Sequence, residues 1–490
     1  MKLVIAEKPS VAMSLAAVLG ATTKQDGYTE GGGYLVSWCV GHLVELAQPE
    51  AYGEQYAKWR RENLPIMPEV WKYEVAKEKR KQLSVLKKLM ADKRVESIVC
   101  ATDAGREGEL IFRLVYDYCG CKKSIERLWI SSMEDAAIRE GFAHLRPGAE
   151  YDLLFRAAVC RAGADWLVGI NGTRLFTVLY HTKLNVGRVM TPTLALVVQR
   201  EAEIRAFQSK PFYVPELDAG NLTASGEKTE SKAEADRVVS DCTDKAATVT
   251  SVNQQEKAVQ PPRLYDLTTL QRECNRYFGY TAQQTLDYLQ SLYEKKLATY
   301  PRTDSQYLTE DMKAPTERLV AWLNGNMPFA VGNGTPDLGR VIDNKKVSDH
   351  HAILPTMEIS KTDLSALPAG ERDVLTLVAM CLLCAVGKPH IFEAVTAVLD
   401  CGGHSFTAKG KTVKQDGWKS VLSAFKTSMK QKPQENDEEE AALPALAVGQ
   451  VLSDAQASVR EGKTSPPKRF TDVIFCERKE WIGIEERSSA

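Results

Sequence analysis

The chain has 490 residues, 44% of them hydrophobic and 26% charged, with a formal net charge of −1. That length predicts several domains of ordinary globular composition. The near-zero charge excludes a chain-wide attraction for nucleic acid, so any such contact has to come from local basic patches.

The first element is the apolar run Leu3–Ala6, which ends in Glu7-Lys8-Pro9-Ser10; Val11, Leu15 and Leu19 then recur at helical spacing. This reads as strand, loop and helix, with Pro9 in the first turn where its missing donor costs little. Glu7 and Lys8 therefore fall at the carboxyl end of a strand, the edge where open α/β sheets bind ligands. Tyr34–Leu43 supplies a further strand before a glycine turn, and its His42 reads as structural. Ser97–Ala101 is another buried-strand run, followed by Thr102-Asp103-Ala104-Gly105-Arg106-Glu107-Gly108-Glu109 and a helix. Asp103 ends that strand and Glu107 opens the helix. Carboxylates at such a corner suit Mg²⁺, a hard cation that takes oxygen ligands.

Residues 156–196 read as mostly helical and contain Arg161 and Arg188, whose plain reading is surface ion pairing. From Pro211 the pattern changes to short alternating runs, Phe212–Leu217 and Ala247–Val252, with a second β stretch at Ile391–Val413. The simplest account is one β domain interrupted by a helical insert, Gln260 to about Gly387. Within the insert, Thr281-Ala282-Gln283-Gln284 has the capping-box form, and Ala282, Leu286, Leu289 and Tyr293 keep one helical face apolar. That helix leads to Tyr300-Pro301-Arg302-Thr303-Asp304-Ser305. A phenol with a pKa near ~10 is a weak nucleophile that needs a cation beside it. Arg302 could supply one, and its planar fork could also bind a phosphate. An ordinary turn is the alternative.

Several other signals point to no chemistry. Adjacent His350 and His351 lack a third ligand spaced to complete a metal site, and Cys381-Leu382-Leu383-Cys384 has no second pair. Gly410-Lys411-Thr412 and Gly462-Lys463-Thr464 lack the earlier glycine of a phosphate loop, so no nucleotide hydrolysis is implied. The 11 scattered cysteines argue against a disulfide framework and fit a reducing cytoplasm. The apolar run Val374–Val386 is too short to span a bilayer, and Met1–Glu7 has no signal-peptide pattern. Gln431–Glu440 reads as an acidic linker.

Tyr300–Ser305 resembles the active-site signature of type IA DNA topoisomerases, and Pro261-Pro262-Arg263-Leu264-Tyr265-Asp266-Leu267-Thr268-Thr269-Leu270 resembles their topoisomerase III branch. The Asp103–Glu107 block is similar to the Toprim motif Asp-x-Asp-x-Glu, with Gly105 in place of the middle acid. Similar blocks recur from Glu7 to about Arg469. The resemblance implies a multidomain α/β and α+β fold: an N-terminal Toprim (Rossmann-like) domain, helical domains and a β domain forming a toroidal core. The expected domains are 1–150 (Toprim), 151–210 with about 450–471 (helical, beside DNA), 211–259 with 388–449 (β-rich arch) and 260–387 (helical, carrying the tyrosine).

It further implies an ATP-independent enzyme that breaks and rejoins one DNA strand through a 5′-phosphotyrosyl bond to Tyr300. Lys8 and Arg302 would stabilise the phosphorane charge and Glu7 would be the general acid. Arg161, Arg188 and His350 would contact DNA, and Glu7, Asp103 and Glu107 would hold Mg²⁺. The expected partner is single-stranded DNA in underwound or catenated duplex. A Toprim-class nuclease using metal-activated water is the rival reading. Residues 472–490 look divergent from the family, which carries the further expectation of an inactive DNA-binding remnant that relaxes supercoils weakly or not at all.

Overall fold

The computed structural model describes residues 1–220, 222–331, 335–347, 350–429 and 442–471. The acidic tract at 431–440 and the tail at 472–490 lie outside the described residues.

The N-terminal body is a sheet covered by helices on both faces. Its strands are β1 (Lys2–Ala6), β2 (Thr23–Gln25), β3 (Tyr28–Gly31) and β4 (Tyr34–Trp38), followed by a separate ribbon of β5 (Val44–Leu46) with β6 (Tyr73–Val75), then β7 (Ser97–Ala101), β8 (Ser124–Arg127) and β9 (Arg146–Pro147). The sheet order is β2-β3-β4-β1-β7-β8-β9, with β1 parallel to both β4 and β7, and β7 parallel to β8. Parallel strands covered on both faces need continuous apolar sequence, and Leu3, Val4, Ile5 and Ala6 are all fully buried. Four helices connect these strands: α1 (Pro9–Leu19), α2 (Arg80–Ala91), α3 (Arg106–Tyr118) and α4 (Asp135–Ala143). A long helix α5 (Asp152–Tyr180) then packs on α3, with Trp166 buried and its Nε1 donating to Ala47 O at 3.0 Å. Helix α6 (Met190–Ala206) follows.

The second sheet is antiparallel. It contains β10 (Pro211–Asp218), β11 (Thr223–Ser225), β12 (Ala247–Val259), β13 (His390–Cys401), β14 (His404–Gln415), β15 (Val451–Leu452) and β16 (Gln456–Lys463), in the order β15-β12-β13-β14-β11-β10-β16, with α7 (Lys232–Cys242) beside β10. Between β12 and β13 the chain builds a helical body of α8 (Leu267–Phe278), α9 (Ala282–Glu294), α10 (Lys313–Asn326) and α11 (Ala369–Ala385). Thr281 caps α9 as its sequence predicts: its Oγ1 accepts Gln284 N at 3.1 Å, and Gln284 Oε1 accepts Thr281 N at 2.9 Å. Cys381 and Cys384 are buried on α11, in the core of this body.

Two of the expected boundaries fall elsewhere. Residues 451–463, assigned from the sequence to the helical domain beside DNA, join the antiparallel sheet instead. β16 pairs with β10 along its length, Gln456 opposite Asp218 through Lys463 opposite Pro211, because it is an extended polar edge strand without helical periodicity. Only the stretch after Lys463 returns to α6, where Arg469 Nε lies 2.8 Å from Glu201 Oε1. Helix α12 (Trp418–Ser428), expected in the β domain, buries Val421 and Phe425 in the core of the helical body. The amphipathic face of α12 finds its apolar partner there, on α11.

The helical body therefore meets the sheet at three neighbouring strand ends. Val259, where the chain leaves β12, is the cross-strand partner of His390, where it returns, and Gln415 at the end of β14 pairs with Ile391. Trp418 N donates to Lys388 O at 2.9 Å and Trp418 Nε1 to Val259 O at 3.2 Å. The turn into α12 needs glycine: Gly417 has φ +55°, and a Cβ there would stand 2.2 Å from Pro389 O.

Candidate active site

Glu7 and Asp103 meet because β1 and β7 are parallel neighbours in register, Ala6 opposite Ala101, so both chains turn off the sheet at the same level. Asp103 N donates to Glu7 Oε2 at 3.4 Å. The turn from β7 into α3 closes tightly: a Cβ on Gly108 would stand 2.1 Å from Asp103 O, and Thr102 Oγ1 donates to Gly108 O at 2.8 Å.

Beneath this turn lies a fully buried cation that the sequence reading missed. Arg127, at the end of β8, is 1% exposed. Its guanidinium donates to Thr102 O and Leu128 O at 2.8 Å, Asp103 O at 2.7 Å and Cys100 O at 3.1 Å. Its charge is matched by Glu109, whose Oε2 is 3.1 Å from Arg127 Nε and whose Oε1 accepts Arg113 Nε at 2.8 Å. The Glu109 and Arg113 spacing is a helical i,i+4 pair and was the one available signal.

The tyrosine segment reaches this corner from the helical body. Tyr300 N donates to Ser131 O at 3.0 Å, and the Tyr300 hydroxyl donates to Asp103 Oδ2 at 3.4 Å. Its ring, 7% exposed, stands 4.2 Å from the His350 ring and packs edge-on against Tyr293 at 5.6 Å. Arg302 Nη1 is 3.9 Å from Asp103 Oδ2, with half of its side chain exposed. His350 is held on both ring nitrogens, by Ser131 Oγ at 2.8 Å and by Ala104 O, and it stacks on Trp129.

Burial, then the Asp103 charge, push the Glu7 carboxyl up to about 7, against the nearby Lys8 and Arg302. Asp103 is likewise raised by burial, opposed by Lys8 and Arg302. The Tyr300 phenol rises because it is buried and faces Asp103; Arg302 acts in the opposite direction but is outweighed. The tyrosine is thus a protonated phenol, and the cation beside it does not by itself make a phenolate. Burial holds the His350 imidazole down at about 4, so it is neutral.

A cavity of about 300 Å³ opens over these groups, lined by Glu7, His42, Asp103, Glu107, Arg161, Tyr300, Arg302 and His350. Arg161 makes a long contact, 4.0 Å, with Asp165 Oδ2. Arg188 engages the same carboxylate through two hydrogen bonds, 2.7 and 3.2 Å, and does not line the cavity. Lys8 does not line it either, because its Nζ is turned to Glu294 Oε1 at 3.3 Å.

The three acids read from the sequence as one metal site do not form one cluster. Among the described residues, no three His, Cys, Asp or Glu side chains converge at metal-binding spacing. Glu107 stands on the first turn of α3 with 59% of its side chain exposed and pairs with His42 Nε2 at 3.6 Å, which lowers its pKa. His42, set aside in the sequence, is therefore part of the cavity wall. Glu7 and Asp103 do fit a divalent cation: burial raises both carboxyls and the Asp103 charge raises Glu7 further, a cost that a cation between them relieves. Gly105 faces open space with an extended backbone, φ 169°, so a side chain there meets no atom within 4 Å.

Residues 149–477 match the DNA topoisomerase family and residues 2–133 match the Toprim domain. The chain is 42% identical over 485 residues to DNA topoisomerase 3 of Bacillus subtilis (strain 168), covering 96% of this chain and 66% of that protein. It is 41% identical over 485 residues to the enzyme of the same name from Bacillus licheniformis, covering 96% of this chain and 65% of that protein. It thus spans slightly less than two thirds of these relatives. In fold it is similar to full-length topoisomerase I from Thermotoga maritima, with a TM-score of 0.75 at 23% identity, covering 99% of this chain and 77% of that one. With a Toprim sheet edge, a tyrosine brought to it by an inserted helical body, and matches along nearly the whole sequence, the chain belongs to the type IA DNA topoisomerase family, on its topoisomerase III-like branch.

Proposed function

We propose that the chain is an ATP-independent type I DNA topoisomerase that breaks one DNA strand at Tyr300 and rejoins it, relaxing or decatenating DNA. The observation that carries this reading is the Tyr300 hydroxyl lying 3.4 Å from Asp103 Oδ2, with Glu7 and Arg302 beside it in one cavity. A nucleophile, a proton acceptor, a proton donor and a fixed cation then surround one site.

In the forward step the Tyr300 oxygen attacks the phosphorus of a single-stranded segment, and its proton passes to the Asp103 carboxylate. The bond from phosphorus to the 3′ oxygen breaks, and Glu7, which keeps its proton up to about pH 7, donates it to the leaving oxygen. Arg302 offsets the charge on the phosphoryl oxygens, and neutral His350 holds the tyrosine ring. The phosphotyrosyl ester retains the energy of the broken bond, so the 3′ hydroxyl reseals the strand without a nucleotide. Arg161 at the cavity wall, and Arg188 beyond it, give up their shared Asp165 for backbone phosphates. Glu7 and Asp103 would hold Mg²⁺, which would supply neutralising charge for the phosphates that must be realigned before resealing. The reducing composition and the absence, among the described residues, of a helix long and apolar enough to cross a membrane accord with work on DNA in the cytoplasm.

The test is a single-stranded oligonucleotide labelled at its 3′ end and quenched with denaturant. Label migrating with the protein is the expected result, since Tyr300 takes the 5′ phosphate of the downstream piece. Efficient cleavage with no protein-bound label would assign the site to a metal-activated-water nuclease instead.

Two substitutions refine the chemistry. Arg302→Lys should slow adduct formation roughly 10- to 100-fold in single-turnover kinetics, because a point charge cannot make the paired hydrogen bonds of the guanidinium, each worth about 1.5–3 kcal/mol to a charged group. An unchanged rate would move Arg302 away from the phosphate. Gly105→Asp, which the open space at that position admits, should lower the Mg²⁺ concentration needed for resealing several-fold, while cleavage changes little. Superimposable Mg²⁺ titrations would show that a third acid contributes nothing here.

A further inference from the structure

Lys8 follows Glu7 at the edge of β1, yet its ammonium points across to the helical body, 3.3 Å from Glu294 Oε1. Glu294 is the last residue of α9, where the helix dipole disfavours a carboxylate. It is held there by Lys8 and by Gln290 Nε2, which donates to the same oxygen at 3.1 Å. Both partners are partly shielded, with 33% and 27% of their side chains exposed. A second pair, Lys296 Nζ to Asp135 Oδ1 at 2.5 Å, ties the same two bodies together nearby. Lys8 thus turns its ammonium to the segment that carries the tyrosine and does not line the cavity over Tyr300, although its charge still acts on Glu7 and Asp103.

We propose that Glu294 is a positioning residue that stands in for DNA phosphate. In the DNA-free protein it parks Lys8 outside the cavity and fastens the tyrosine-bearing body to the N-terminal body. A phosphate entering the cavity takes the ammonium in exchange, and one of the ion pairs across the interface is released in the same event. DNA binding and loosening of the interface are then one exchange of counter-ions. The inference rests on the reading of Lys8 as a phosphate-binding group.

The test compares affinities for a short single-stranded oligonucleotide, by fluorescence anisotropy at fixed salt, using the full chain. Glu294→Gln keeps the shape and can still accept from Gln290, so Lys8 is freed with little other change. It should bind roughly two- to fivefold tighter, the ratio expected for a partly exposed ion pair, and the gain should vanish in a Lys8→Ala background. Asp135→Asn, which breaks the neighbouring pair without touching Lys8, should leave affinity unchanged. Unchanged or weaker binding by Glu294→Gln overturns the proposal, as does an equal gain in the Lys8→Ala background or from Asp135→Asn. Glu294→Ala replaces the glutamine variant if that one does not fold. Should the parent chain form its Tyr300 adduct while Glu294→Gln is silent, only this inference falls. Should the parent neither bind nor form the adduct, the reading of Lys8 falls with it.

Discussion

Tyr300→Phe should yield no protein-bound label at any time point, while its affinity for a single-stranded oligonucleotide stays within about twofold of the parent. The substitution removes one oxygen. The ring keeps its contacts with His350 and Tyr293, and the backbone keeps its bond to Ser131 O. The lost hydrogen bond to the Asp103 carboxylate is long, 3.4 Å, so its loss should fall at or below the low end of the about 1.5–3 kcal/mol of a bond to a charged group. Retained oligonucleotide binding then shows that the lost chemistry is not unfolding. Adduct formation by the phenylalanine variant would remove Tyr300 from the mechanism. Loss of oligonucleotide binding would show instead that the hydroxyl organises the cavity.

The largest effect on stability is expected from Arg127→Met. Methionine fills much of the volume but leaves the carbonyls of Thr102, Asp103 and Leu128 without the guanidinium that donates to them, and leaves buried Glu109 with Arg113 as its one cation. Breaking a buried ion pair by removing one partner costs about 3–5 kcal/mol. Because Thr102 and Asp103 form the turn that presents the carboxylate to Tyr300, adduct formation should fail at temperatures where the helical body is still folded. Denaturant unfolding of the N-terminal body gives the measurement. A loss below about 1 kcal/mol would mean that water or Arg113 replaces the guanidinium without strain.

The strand ends that carry Glu7 and Asp103 were legible because a buried parallel strand reads as an unbroken apolar run, and Leu3–Ala6 and Ser97–Ala101 both do. The helix before Tyr300 was legible because its cap and its apolar face are local patterns. Contacts made across the fold leave no such trace. Lys8 and Glu294 are far apart in the chain, and nothing about either residue marks the other as its partner. Arg127 ends an ordinary strand, and its burial depends on a glutamate brought from α3. His42 and Glu107 looked unrelated because the turn after β4 and the first turn of α3 meet only in three dimensions. The same limit explains α12, whose apolar face is evident in sequence although the surface it covers is not.

The three adjacent strand ends at Val259, His390 and Gln415 have a mechanical consequence. A body hung on one thread can swivel freely, whereas three hydrogen-bonded plies form a strap. A strap flexes across its flat face but resists shear within its plane, because in-plane sliding would break the ladder between β12, β13 and β14. The tyrosine is thereby confined to an arc rather than a cloud of positions. The proposed breaking and rejoining requires the tyrosine to leave the N-terminal body and regain it, and this strap would return it along the arc by which it left.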